Sequence, residues 1–230
     1  EKIATLEKQN ELKVIEIQND WYKITSSYTV GYVRAESTTY INSNTKYEKY
    51  TANDENSKGT SNSQVKTPLS FDMPLNKPSG LTLEEFKKVL TDSKDKNKIF
   101  QDNAQYFYYI EKQYNINGIF VAAVGIHESG WGTSSISKNK KNLFGYGAYD
   151  SDPSGSAYTF QSYAEGIDLV ARVFVKYYLN PKGTPIYGNE VALGTYYEGA
   201  TLTGVNTRYA TDKNWANAVY KWMTYLYNKL

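Results

Sequence analysis

One carboxylate stands apart from the other titratable side chains by its setting. Gly118 to Gly125 reads GIFVAAVG, almost purely apolar, and three residues later, just after His127, comes Glu128, followed by Ser129 and Gly130, with Gly132 close behind. A carboxyl at the end of a hydrophobic helix is costly to ionise. Its pKa is therefore expected to rise, which suits a general acid working near neutral pH. The alternative is a Glu exposed on the first turn past the helix. Gly130 and Gly132 carry no side chains, so the backbone there can turn sharply and a ligand can come close to Glu128. His127 flanks the acid, but on a buried helix an imidazole is more often a packing residue than a proton relay. The chain has no cysteine and this single histidine. A disulfide framework, thiolate metal sites and a cysteine nucleophile are thereby excluded. The usual zinc sites need two or three His or Cys ligands, and a Ser-His-Asp triad would have to use His127. No metal and no cofactor are expected.

The elements that hold Glu128 are mainly helical. In Ser79-Gly80-Leu81-Thr82-Leu83-Glu84-Glu85 the Thr82/Glu85 spacing is that of a capping box, predicting a helix through Phe86, Val89 and Leu90. Ile99, Phe100, Asn103, Phe107 and Ile110 stripe one helical face, and a second helix from Asn117 is apolar all round and hence buried. A Gly, Tyr, Asp and Ser segment between Phe144 and Phe160 is expected as a loop or short hairpin. Ile167 to Tyr178, and Trp215 to Leu226 after an Asp212 cap, resume helical spacing. Across 230 residues, 26 basic and 24 acidic side chains leave a net charge of +2, too balanced for a nucleic-acid binder. No run approaches the ~18 apolar residues of a membrane span. Tyr 23 against Phe 8 implies wet aromatic surface suited to sugars or peptides, or else compositional drift.

The longer string His127-Glu128-Ser129-Gly130-Trp131-Gly132-Thr133-Ser134, then Asn142-Leu143-Phe144-Gly145, is similar to the signature of the bacterial endo-β-N-acetylglucosaminidases of glycoside hydrolase family 73. Gly147 to Pro153, Phe160-Gln161-Ser162-Tyr163-Ala164-Glu165-Gly166-Ile167, and Tyr209-Ala210-Thr211-Asp212 before Trp215 follow in the family's order. The resemblance covers about residues 80 to 230. It implies a lysozyme-like, mainly α catalytic domain that hydrolyses the bond following N-acetylglucosamine in peptidoglycan, with Glu128 as general acid. Glycoside hydrolysis normally enlists a second group. Asp150 and Asp152 are the only carboxylates between Glu128 and Tyr158 and are the candidates, Asp150 slightly ahead, although Asp-Ser-Asp-Pro also makes a good turn. Alternatively the substrate's 2-acetamido group is the nucleophile, and Tyr209, which matches the family's functional tyrosine, orients it. Gly130, Trp131, Asn142, Phe144, Tyr146, Tyr149 and Tyr163 are the expected substrate-binding residues. Trp131 is more readily a packing anchor of the turn, and the alternative for Asn142 and Phe144 is a capped turn with an aromatic plug, equally fitting for Phe144. The rivals are a lytic transglycosylase and a peptidoglycan-binding protein without catalysis.

Residues 1–41 alternate in short strand patterns, including Trp21-Tyr22-Lys23-Ile24 and Val30-Gly31-Tyr32-Val33, with a one-residue slip near Ile15 that suggests a bulge. The stretch resembles the later half of a bacterial SH3-like module, so a partial wall-binding unit is expected there. Residues 42–79, polar and then punctuated by Pro68, Pro74 and Pro78, are expected as a linker before a catalytic domain at 80–230. The chain opens on Glu1-Lys2-Ile3 and reads as a processed or excised fragment. The resemblance implies a secreted, cell-wall-associated protein whose partner is peptidoglycan glycan. A monomer without nucleic-acid or membrane partners is expected.

Overall fold

The computed structural model describes residues 66–148, 153–188 and 190–230, with Pro153 and Ser154 by backbone only, and the backbone of residues 13–18, 21–26 and 29–34. The chain divides into two units, Glu1–Asn62 and Ser63–Leu230. In the first, β1 (Lys13–Gln18), β2 (Trp21–Ser26) and β3 (Thr29–Arg34) form an antiparallel sheet of order β1-β2-β3. The β1/β2 register shifts between Val14 and Glu16, at the predicted slip.

The second unit is built around α4 (Gly118–Ser129), in which every residue from Gly118 to Ile126 is buried. An element so uniformly apolar can satisfy its surface only by being surrounded. Its neighbours include α3 (Ala104–Tyr114) and α9 (Trp215–Tyr227). The approach to α3 is close, since a Cβ on Gly118 would lie 2.3 Å from the Phe107 carbonyl oxygen. Asn117 caps α4, its Oδ1 accepting from Phe120 N at 2.9 Å. Glu111, 1% exposed, accepts from Ser79 N at 3.0 Å and from Gly118 N at 2.8 Å, placing a carboxylate at the first turn of α4. Burial pushes this carboxyl up to about 7, against the opposing pull of the Ser79 and Gly118 hydrogen bonds.

The remaining helices close the core. In α1 (Leu83–Leu90) the Thr82/Glu85 capping box is present, and Phe86, Val89 and Leu90 are buried. The stripe expected as one helix from Ile99 is broken at Asn103 into α2 (Ile99–Asp102) and α3. Asp95, whose carboxylate accepts from the backbone N–H groups of Ile99, Phe100 and Gln101, caps the start of α2, and at the break itself Asn103 Nδ2 donates to the Ile99 carbonyl at 2.7 Å. Met73 and Leu75 are buried in the same core, so packing begins well before Gly80. After α5 (Ser135–Lys140) the glycine-rich segment contains a short helix, α6 (Pro153–Ser156), that periodicity did not signal. The Tyr158 N–H, bonded to the Tyr146 carbonyl at 2.9 Å, pins the two sides of that segment. Helix α7 (Tyr163–Val173) runs on into a π-helical turn at Phe174–Tyr178, and α8 (Leu202–Tyr209) leads to α9.

Candidate active site

Helix α4 ends in three consecutive left-handed residues, Gly130 (φ 56°), Trp131 (φ 59°) and Gly132 (φ 71°). Ser129 locks this turn. Its Oγ donates to the Gly125 carbonyl at 2.6 Å and accepts from Gly132 N at 2.8 Å, while its carbonyl accepts from Thr133 N and Ser134 N. A left-handed tryptophan costs roughly 1 to 2 kcal/mol. Burial of the indole offsets it: Trp131 packs edge to face on Phe100 at 5.4 Å and on Trp222 at 6.0 Å. The turn thereby points Glu128 outward. Glu128 is exposed, so the desolvation expected from its apolar helix is not supplied by the protein itself.

A tryptophan holds the exposed carboxylate. The Nε1–H of Trp215, at the first position of α9, donates to Glu128 Oε1 at 2.8 Å. The rest of Trp215 is buried, and its ring lies 5.0 Å from that of Tyr209 at the end of α8. The connection between these helices is fixed by Asn206. Its Nδ2 donates to the Asp212 carbonyl at 2.9 Å and its Oδ1 accepts from Ala216 N at 3.1 Å. Asp212 does not cap α9 as expected. The N-cap position is Asn214, and Asp212 Oδ1 accepts from Asn214 N at 2.8 Å, an Asx turn that brings Trp215 round. Tyr209 is half-buried, also against Phe174 at 5.0 Å. Burial first, and the nearby Glu128 charge second, push its phenol well above the ordinary tyrosine range, so it remains an O–H donor.

The other expected site residues separate into groups. Asn142 is 1% exposed and its amide is fully engaged: Nδ2 donates to the carbonyls of Tyr146 and Tyr158 at 3.0 Å, and Oδ1 accepts from Phe144 N and Tyr146 N. It shapes the 142–146 turn rather than facing a ligand, because no donor or acceptor is left over. Phe144 is the aromatic plug, 3.3 Å from where a Cβ on Gly125 would lie, and Trp131 is the packing anchor. Tyr163 turns its hydroxyl to the Ser137 carbonyl at 3.2 Å. Tyr146 is half-buried and lies edge-on to the exposed Tyr158 at 5.4 Å. Gly130 is exposed beside Glu128, whereas the space a side chain would need at Gly132 is taken by Ile99, with Cδ1 at 2.7 Å. Asp150, Asp152 and Tyr149 lie outside the described residues.

Sequence reasoning placed Trp215 in a helical stripe without seeing its role. No local signal singled it out, because the chain has four tryptophans and a buried indole N–H does not always find an acceptor: among the described residues Trp131 Nε1 has none. Ser129 was likewise quoted only as part of a motif. Among the described residues no group of three or more His, Cys, Asp or Glu side chains is placed to hold a metal ion. No helix there is long and apolar enough to cross a membrane.

Comparison with known proteins follows the same residues. The family model described as Glucosaminidase, mannosyl-glycoprotein endo-beta-N-acetylglucosaminidase, matches residues 104–228. Two Streptococcus pneumoniae proteins named "Putative endo-beta-N-acetylglucosaminidase" are each 31% identical over 167 residues, 73% of this chain. The chain spans only 23% and 22% of their lengths. Among solved structures, S. aureus autolysin E is similar with TM-score 0.49 and 23% identity, covering 69% of this chain and 71% of that one. A catalytic mutant of the same autolysin in complex with the disaccharide NAG-NAM gives 0.47 and 22%, over 70% and 74% of the two chains. The family match runs from α3 through α9, more than half of the sequence, and the chain belongs to the Glucosaminidase family of glycoside hydrolases.

Proposed function

We propose that this chain is the catalytic part of a secreted peptidoglycan hydrolase that cleaves the β-1,4 bond after N-acetylglucosamine in the bacterial cell wall. The observation that carries the proposal is an exposed Glu128 carboxyl held by the Trp215 N–H at 2.8 Å, with Tyr209 next to that indole. An indole is a donor only, so Oε1 acts as acceptor and the acidic proton sits on Oε2. From Oε2 the proton passes to the leaving glycosidic oxygen. The Trp215 hydrogen bond strengthens as negative charge develops on Glu128, which stabilises the transition state more than the ground state. Bound sugar, rather than the protein, provides the desolvation that favours a neutral acid.

In that same step the acetamido carbonyl oxygen of the substrate attacks the anomeric carbon as the glycosidic bond breaks, forming a cyclic intermediate, a known exception to the two-carboxylate scheme. Tyr209, kept protonated, is the donor that orients it. Water then opens the cyclic intermediate and returns a proton to Glu128. Asp150 or Asp152 as water activator is the competing route. We read the β1–β3 sheet as part of an SH3-like wall-binding module, with a linker leading to the catalytic domain.

Digestion of purified peptidoglycan tests the proposal. Products ending in reducing N-acetylglucosamine are expected, and a 1,6-anhydro product would overturn it in favour of a transglycosylase. Glu128→Gln is expected to lower lysis at least 100-fold, the ordinary scale for losing a general acid, while retaining wall binding. Residual lysis equal to the parent removes Glu128 from the mechanism. Near-normal rates in Asp150→Asn and Asp152→Asn, with loss in Tyr209→Phe, are expected for substrate assistance.

A further inference from the structure

Beyond Tyr209 the row of aromatic rings continues away from Glu128. Tyr178 packs edge to face on Tyr209 with centroids 5.7 Å apart, and Tyr196 lies at 5.0 Å and 35° from Tyr178. Tyr177 flanks Tyr196 at 6.3 Å and 40°. Two different devices bring these rings together. Tyr177 and Tyr178 belong to the π-helical turn that extends α7, a departure from regular helix that is frequent at functional sites. Tyr196 belongs to the 181–199 loop, which is bonded to that same turn. The Lys176 carbonyl accepts from Leu193 N at 2.8 Å and Gly194 N at 3.1 Å, and the Tyr177 carbonyl accepts from Tyr196 N at 2.9 Å. The backbone of Tyr196 is thus anchored while its side chain remains 43% exposed. Of the five exposed large hydrophobic residues among those described, Val191, Leu193 and Tyr196 all sit on this loop. A loop anchored by these hydrogen bonds that presents apolar surface to solvent, linked by packed rings to Glu128, is a binding surface more readily than a packing accident.

We propose that Tyr178 and Tyr196, with Tyr177, form a distal glycan subsite on which a sugar remote from the scissile bond stacks while the strand is held at Glu128. The chemistry suits a carbohydrate. Pyranose rings offer C–H faces to aromatic rings and hydroxyls to phenol O–H groups, and tyrosine supplies both. Trp215 is buried, so the surface open to a sugar lies at the far end of the row, at Tyr196, which remains 43% exposed. The subsite rests on the glycan-hydrolase function proposed above, and it makes recognition depend on chain length.

The test is binding of N-acetylglucosamine oligomers, dimer and hexamer, and of peptide-free peptidoglycan glycan strands to the full chain carrying Glu128→Gln, measured by titration calorimetry. Adding Tyr196→Ala is expected to reduce the hexamer-to-dimer affinity ratio about tenfold, and adding Tyr196→Phe to reduce it much less. A ratio that stays the same, or a loss equal for dimer and hexamer, overturns the subsite. Failure of the Glu128→Gln protein to bind any of these glycans also overturns it. Lysis by Glu128→Gln is read separately: retained lysis refutes the acid, whereas a silent protein whose length preference is unaltered by Tyr196→Ala refutes only the distal subsite.

Discussion

Replacing Trp215 by Phe removes the indole N–H hydrogen together with the five-membered ring and leaves one aromatic ring at the start of α9. In the folded protein that hydrogen is donated to Glu128 Oε1 at 2.8 Å. A hydrogen bond to a charged group contributes about 1.5–3 kcal/mol, and this one is strongest when Glu128 has given up its proton. If that difference is expressed mainly in the transition state, kcat falls about 10- to 100-fold, since each 1.36 kcal/mol is a factor of ten. KM is expected to change little, because the free carboxyl still reaches the cleft. Trp215 is 2% exposed, so loss of the second ring also leaves a void costing about 1–3 kcal/mol of stability. The assay is steady-state hydrolysis of solubilised glycan strands, with thermal unfolding measured in parallel and rates taken well below the transition. A kcat within about twofold of the parent, or a loss confined to KM, refutes the idea that the indole positions and supports the acid.

Two further outcomes follow from the packing around α4. Gly132→Ala forces a Cβ into a left-handed residue and to 2.7 Å from Ile99 Cδ1, and is expected to cost about 1–3 kcal/mol in denaturant unfolding. A neutral effect would show that the turn after Glu128 is not set by this contact. Glu111 titrates near 7 in the folded chain, above its ordinary value of 4.5, so the native state binds its proton more tightly than the unfolded state. Its contribution is therefore fully present below about pH 4.5 and declines as pH rises through 7, by on the order of 3 kcal/mol. Glu111→Gln is expected to flatten that slope in unfolding measured from pH 4.5 to 8. An identical slope in the variant would place the pH dependence elsewhere.

Local signals were legible where a few neighbouring residues decide the outcome. The Thr82/Glu85 capping box, the bulge near Ile15 and the buried run from Gly118 to Ile126 all depend on composition within a turn or two of chain. The break at Asn103 was not legible, because the stripe from Ile99 to Ile110 keeps its spacing across it and Asn103, whose amide bonds back to the Ile99 carbonyl there, is itself a member of the stripe. Likewise, Met73 and Leu75 look like part of a polar, proline-rich stretch, and only the core they enter makes them buried. The π-helical turn at 174–178 has an ordinary helical sequence, and partners 17 to 19 residues later, at 193–196, take up carbonyls at 176 and 177.

The same division applies to the site. From sequence alone came the acid itself, the glycines that turn the chain after it, and a surplus of tyrosine in search of a surface. Those follow from residue types and from spacings of at most a few turns. Tertiary structure decided what touches Glu128. The indole that donates to it lies 87 residues away along the chain. It arrives there because Asn206 and Asp212 shape one short connection and α9 packs on α4. It also chose between open alternatives, leaving Glu128 in water and burying Asn142 in a turn with every polar atom engaged. Exposure and partnership are properties of the assembled core, summed over helices that are distant in sequence, so no local pattern encodes them.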